Sequence, residues 1–196
     1  GPERRSGPDG KVGQQYLVAN GRYLYVPERP HGGRRVVVPL KELVKAFDAK
    51  LSWDPADGTT SITTGSGGIA SGDSFYNQDD LFWLSRVVYA ESGNQSLDGK
   101  IAVANVVLNR VKSPIFPNTI EGVLAQKNQF PTYGSGSLAK RTPNEGSIIA
   151  AKLAMDGAWW RRPPGRSTLT QLPTAGLPGT KHISPPSGAI SSMAEP

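Results

Sequence analysis

Glu91 is the residue of this chain whose type and spacing most clearly suggest chemistry. It follows Val88 by three positions, Val87 by four and Leu84 by seven, which places it on the apolar stripe of a helix. A carboxylate on such a stripe is costly unless it is paired, hydrogen-bonded or protonated. Burial disfavours its charged form and raises its pKa, and the partial negative charge of a nearby helix C-terminus pushes the same way. A carboxyl that keeps its proton near neutral pH can act as a general acid towards a leaving oxygen. The same spacing suits a structural glutamate on the rim, bonded to a Lys or Arg, and spacing alone does not separate the two.

Composition removes several other chemistries. There is no Cys, so disulfide scaffolds, thiol nucleophiles and thiolate metal sites are excluded together. The two histidines, His31 and His182, lie far apart in unlike contexts, which argues against an imidazole zinc site or a Ser-His-Asp triad. No metal and no cofactor are expected. The net charge of +6 suits a polyanionic partner. The basic residues sit in scattered pairs (Arg4-Arg5, Arg34-Arg35, Arg161-Arg162) without a nucleic-acid-binding motif, so no nucleic-acid partner is expected. No apolar run is long enough to span a membrane. The chain opens Gly1-Pro2 with neither a starting Met nor an apolar signal core, as a processed product or internal fragment would.

The elements that must position Glu91 follow from patterning. Residues 1–13 are polar, rich in Gly and Pro, and expected to be a disordered lead-in. Short β-like runs then carry Tyr16, Val18, Tyr23, Tyr25 and Val36 to Val38, with a hairpin signal at Asn20-Gly21. A helix is predicted over Leu40 to Lys50, and a strand–turn–strand over Leu51–Trp53 and Ser61–Thr63, with Trp53 in a core. The Gly/Ser-rich stretch at 65–75 reads as a linker. Asn77 is a plausible N-cap, with Asp79 and Asp80 in the first turn of a helix that ends at Gly93-Asn94. A second helix, Leu97 to Lys112, is apolar nearly all round and expected to be buried. Asn118 with Glu121 reads as the start of a short helix through Gln126. Thr142, Pro143 and Glu145 read as cap, first and third positions of a helix ending near Gly157. From residue 161 the chain holds 7 of its 17 prolines and shows no period, and is expected to be loosely packed.

Glu91 sits in Arg86-Val-Val-Tyr-Ala-Glu-Ser-Gly-Asn94, followed by Leu97-Asp-Gly-Lys-Ile-Ala-Val-Ala-Asn-Val-Val-Leu-Asn-Arg-Val-Lys-Ser-Pro-Ile-Phe-Pro-Asn-Thr-Ile-Glu-Gly-Val123 and then Gln129-Phe130. This resembles the cell-wall hydrolases of the spore-cortex-lytic (SleB-like) type, nearly gap-free over Asp79 to Phe130 and more weakly through Gly157. The resemblance implies a lysozyme- or transglycosylase-like helical domain that cleaves the glycan strands of peptidoglycan as a lytic transglycosylase or muramidase. It also implies an extracellular or envelope location, and it maps the family's catalytic Glu onto Glu91. In such a sugar site Asn105 and Asn109, four apart on one helix face, could supply amide donors and acceptors; they could equally be buried amides tying the helix to neighbouring loops. Gln129, Phe130 and Tyr133 are the remaining substrate-binding candidates, Gln129 as a sugar hydrogen-bonder and Phe130 stacked beside it. Tyr89 is expected to point away from Glu91 into the core, and Arg110 to play a structural role paired with a carboxylate.

Val36-Val-Val-Pro-Leu-Lys-Glu-Leu-Val44, Leu51-Ser-Trp-Asp54 and Ser61-Ile-Thr63 resemble the stalk-type domain named for the N-terminus of copper amine oxidases. The name implies no copper here, and a spacer or wall-adhesion role, with Trp53 as a sugar-stacking alternative, is what the resemblance implies. The expected organisation is α+β: a small β-rich stalk-type module at 12–64, a linker at 65–75, a mainly helical hydrolase domain at 76–158 and a Pro-rich tail at 159–196. That tail departs from the family pattern at Trp159-Trp160; a shifted reading frame, in which Gly165 to Leu169 and Gly179 to Ser184 regain family-like residues, is one explanation. The expected partner is peptidoglycan and the expected state a monomer. The rival is a non-catalytic envelope-binding protein whose hydrolase domain is incomplete. The absence of Cys and the scarcity of His disfavour an amidase or endopeptidase.

Overall fold

A tight turn opens the described part of the chain. Asn20 and Gly21 both adopt positive φ, 49° and 76°, the backbone that matches strand twist in a two-residue hairpin. They join β1 (Tyr16–Ala19) to β2 (Arg22–Tyr25), paired antiparallel from Tyr16↔Tyr25 to Ala19↔Arg22. The computed structural model describes residues 14–26 and 39–158. The lead-in at 1–13, Val36 to Val38, both histidines, Trp159, Trp160 and the Pro-rich tail lie outside the described residues.

Helix α1 (Leu40–Ala46) is shorter than the sequence pattern suggests. Asp48 turns left-handed at φ 52°, and the Ala49 N–H closes back on the Val44 carbonyl at 2.9 Å, a Schellman-like end. Lys50 therefore begins β3 (Lys50–Asp54), which pairs with β4 (Thr59–Thr63) in register Lys50↔Thr63 to Asp54↔Thr59. All residues of this second hairpin are exposed, and Trp53 is 62% exposed instead of lying in a core. Leu51, Trp53 and Ile62 share one face of the ribbon by strand alternation, but no described element packs over that face.

Residues 65–75 run along the first module. Ile69 is buried with Ala19, Leu24 and Ala46, and the Ile69 and Gly72 N–H groups donate to the Ala46 and Asn20 carbonyls. The short helix α2 (Gly72–Phe75) starts against the hairpin turn; a Cβ on Gly72 would sit 2.3 Å from the Gly21 oxygen, so only glycine permits this approach.

The helical part consists of α3 (Gln78–Ser92), α4 (Leu97–Lys112), α5 (Ile120–Leu124), α6 (Pro131–Gly134) and α7 (Glu145–Met155). Side-chain caps set its starts: Asn77, Ser96, Thr119 and Asn144 each accept a backbone N–H three residues on. Helix α4 has the bounds its pattern predicts. Helix α5 is capped by Thr119 instead of Asn118. Helix α7 begins two residues later than expected, because the Asn144 amide oxygen takes both the N–H and the hydroxyl of Ser147 and so defines the cap. The buried faces of α3, α4 and α7 meet in one core that includes Leu84, Val87, Val88, Ile101, Ala104, Val107 and Leu153. Tyr16, Tyr23 and Tyr25 of the first hairpin pack against the same core. Arg22 fixes that contact with a two-pronged pair to Asp156 at the end of α7, 2.8 Å for each bond, and Tyr25 donates to Asp98 at 2.9 Å. Lys45 of α1 also donates to Asp156. The structure therefore has a small β-rich N-terminal part seated on a mainly helical one.

Candidate active site

The C-terminal end of α3 forms one side of a cavity of about 330 Å3, lined by Tyr89, Glu91, Gly93, Asn94, Gln95 and Arg141, among others. Leu84, Val87 and Val88 are fully buried beneath it, and Glu91 continues their stripe to the cavity's edge, where it is half-buried. Burial pushes its carboxyl pKa up, while the Arg141 guanidinium pulls against that shift. Among the described residues no donor lies within hydrogen-bond reach of the Glu91 carboxyl, and no second carboxylate lines the cavity. Burial, and no hydrogen bond, is therefore what raises its pKa.

One glycine and three hydrogen bonds shape the rim. Gly93 lets the chain leave the helix tightly; a Cβ there would lie 2.8 Å from the Tyr89 carbonyl oxygen and 3.2 Å from its ring. The Asn144 side-chain amide donates to the Gly93 carbonyl at 3.3 Å, tying the rim to the start of α7. The buried Lys100 of α4 donates to the Gln95 carbonyl. Arg141 projects from the loop before α7; its N–H donates to the carbonyl of fully buried Leu138 at 3.1 Å, which anchors the backbone beneath the side chain.

Tyr89 departs from expectation. It lines the cavity and is only half-buried, because the cavity wraps around the helix end and reaches the flank beside Gly93 as well as the Glu91 stripe. The other candidates lie elsewhere. Asn105 is buried and donates to the Ile101 and Ala158 carbonyls at 3.0 and 2.9 Å, tying α4 to the segment after α7. Asn109, one turn on, is exposed. Gln129 accepts from Arg110 at 3.1 Å, so Arg110 is paired with an amide and not a carboxylate. Phe130 is 5% exposed and belongs to the core, which leaves no free face for stacking on a ligand. Tyr133 packs on Trp83 with ring centres 5.2 Å apart and donates to Glu121 at 3.0 Å. None of these five lines the Glu91 cavity. Arg141 does, and spacing offered no sign of it: a single arginine in a loop carries no periodic signal. Among the described residues no group of His, Cys, Asp and Glu is arranged to hold a metal, and no helix is long and apolar enough to cross a membrane.

Residues 94–169 match a family model described as Cell Wall Hydrolase (Hydrolase_2), a segment that begins just past Glu91. A spore cortex-lytic enzyme of Bacillus cereus is 39% identical over 82 residues, covering 42% of this chain and 31% of its own length. That of Bacillus subtilis is 33% identical over 82 residues, covering 42% of this chain and 27% of the relative. The chain thus spans less than a third of the length of these curated relatives. Among solved structures, the catalytic domain of the Bacillus cereus SleB protein is 38% identical, covering 42% of this chain and 64% of that one, with a TM-score of 0.39. The catalytic domain of the germination-specific lytic transglycosylase SleB from Bacillus anthracis is 37% identical, covering 46% and 70%, with a TM-score of 0.40. Over this segment the chain is thus similar to cell-wall hydrolases, among them spore cortex-lytic enzymes.

Proposed function

We propose that this chain cleaves the glycan strands of peptidoglycan, with Glu91 as a single general acid and base. The observation that carries the reading is a half-buried carboxyl with a raised pKa, facing a cavity in which, among the described residues, it is the only acid. The protonated carboxyl donates to the oxygen bridging two sugars as the bond from that oxygen to the anomeric carbon breaks. The resulting carboxylate then accepts a proton from whatever attacks the anomeric carbon. Hydrolysis by two carboxylates needs a partner acid roughly 5–10 Å away. With one acid, the sugar's own C6 hydroxyl is the better-placed nucleophile, and the product is a 1,6-anhydro end. Two further features support a wall substrate: the similarity to cortex-lytic enzymes and the net charge of +6, which suits an acidic polymer. The N-terminal module is read as a stalk-type domain, and the protein as acting outside the cell or in its envelope.

Clearance of a peptidoglycan suspension, followed by turbidity and by mass spectrometry of the released fragments, tests this. The unaltered chain is expected to clear the suspension and leave 1,6-anhydro ends, with Glu91→Gln slower by about 100-fold or more. Equal rates would remove Glu91 from the reaction and favour the non-catalytic envelope-binding rival. Reducing muramic-acid ends would assign the attack to water.

A further inference from the structure

Glu91 shares its cavity with a cation, Arg141, that the glycan-cleaving step does not use. Arg141 lines the same cavity, its side chain is exposed to it, and among the described residues its guanidinium has neither a hydrogen-bond nor an ion-pair partner. Glu91 feels the Arg141 charge but forms no ion pair with it: the ion pairs among the described residues are those that Asp156 makes with Arg22 and Lys45. The backbone beneath Arg141 is fixed through Leu138 and the rim is tied through Asn144 and Lys100, so both groups are carried into one cavity on anchored backbone without forming an ion pair. A guanidinium carries five donors in a planar fork that fits a carboxylate two-pronged, and costs little to keep unpaired while water reaches it.

We propose that Arg141 binds a carboxylate carried by the sugar next to the scissile bond, so that this cavity prefers acid-bearing glycan strands to neutral ones. The inference rests on the glycan-cleaving reading. Within that substrate the carboxylate has two sources: the lactyl group of a muramyl sugar without its peptide, and the peptide stem where one is attached. A strand bound through this contact lies with its acidic sugar towards the loop before α7 and its bridging oxygen towards Glu91. Arg141 then acts as a positioning and selectivity residue.

The test measures co-sedimentation with wall glycan, using the full chain carrying Glu91→Gln so that the polymer stays intact. Three preparations are compared: strands with their peptides, strands stripped to the lactyl carboxylate, and stripped strands whose carboxylates are converted to amides. Adding Arg141→Gln is expected to weaken binding to acid-bearing strands about tenfold and to leave binding to the amidated strands unchanged. Arg141→Lys should recover part of the loss. Lys127→Gln, which removes the same charge from an exposed site away from the cavity, should change neither. A loss confined to stripped strands identifies the lactyl group as the anion, and one confined to peptide-bearing strands identifies the stem. Equal weakening on amidated strands, or none on either acid-bearing preparation, overturns the inference. If the unaltered chain clears the wall and Arg141→Gln shows no selectivity, the inference alone fails. If the unaltered chain clears nothing, the catalytic reading fails, while the sedimentation result still decides whether Arg141 recognises an anion.

Discussion

Asp156→Asn tests whether the N-terminal hairpin and the helices fold as one unit. The Asp156 side chain is 2% exposed and that of Arg22 10%, and two bonds of 2.8 Å join them. Asp156 also caps the C-terminal end of α7, where the helix dipole disfavours a negative charge, so its cations offset an unfavourable position. Removing one member of a buried pair leaves the other charged and unmatched, at a cost of about 3–5 kcal/mol. Lys45 is 44% exposed and can turn to water, so its share is below about 1 kcal/mol. The Asn amide retains one acceptor, so the lower end applies: about 3 kcal/mol, or a fall in Tm of roughly 10 °C for a chain of this size. Thermal and urea unfolding should be followed together by far-ultraviolet circular dichroism, which reads the helices, and by the resolved ring signals of Tyr16, Tyr23 and Tyr25 in NMR spectra, which read the hairpin. Arg22→Met and the double variant complete a cycle, and the pair should couple by about 2 kcal/mol. Additive effects within about 0.5 kcal/mol, or a hairpin signal that melts apart from the helices, would refute the reasoning.

Two further outcomes follow from the rim of the cavity. Because burial raises the Glu91 pKa, the folded chain holds that proton more tightly than the unfolded chain; the contribution favours folding below the unfolded value and is lost as pH rises through the folded one. Glu91→Gln should therefore melt higher than the unaltered chain at neutral pH and lose that advantage near about pH 3, and a flat difference across that range would contradict a buried acid. Gly93→Ala places a methyl 2.8 Å from the Tyr89 carbonyl oxygen, and should cost about 1–3 kcal/mol in urea unfolding and slow wall clearance further by moving the cavity's edge.

Features that depend on neighbours in sequence were legible, and those that depend on distant ones were not. Helix α4 was readable to its ends because Ser96 caps it and Pro114 lies just beyond, while its apolar run fixed the centre. Helix α7 started late because Thr142 and Asn144 are both competent caps, and only the contact with Ser147 chooses between them. Helices α2 and α6, four residues each, are too short for a period to register. The half-buried position of Glu91 was legible because its stripe is local. Phe130 was misread because an aromatic beside an amide looks the same whether it faces a groove or a core. Trp53 was misread for a related reason: alternation with Leu51 marks a strand face, but nothing in the chain says whether another layer covers it. Arg141 lies fifty positions from Glu91, and no pattern connects them.

The long-range contacts also give α7 a second task. Asn144, at its start, holds the Gly93 carbonyl on the rim beside Glu91, and Asp156, at its end, is clamped by Arg22 and Lys45 from the N-terminal module. The eleven residues between them span about 16 Å of helix. Between those ends, Ala150, Ala151 and Leu153 are fully buried against the helices that carry the cavity, so α7 cannot shift without repacking that core. The hairpin and the rim of the cavity are therefore joined by a strut that is fastened at both ends and gripped along its length. An arginine 134 positions before Asp156 helps to hold the far end of the element whose near end shapes the surroundings of Glu91. The support of this site accordingly begins at the first hairpin, although the residues that line the cavity all lie between Tyr89 and Arg141.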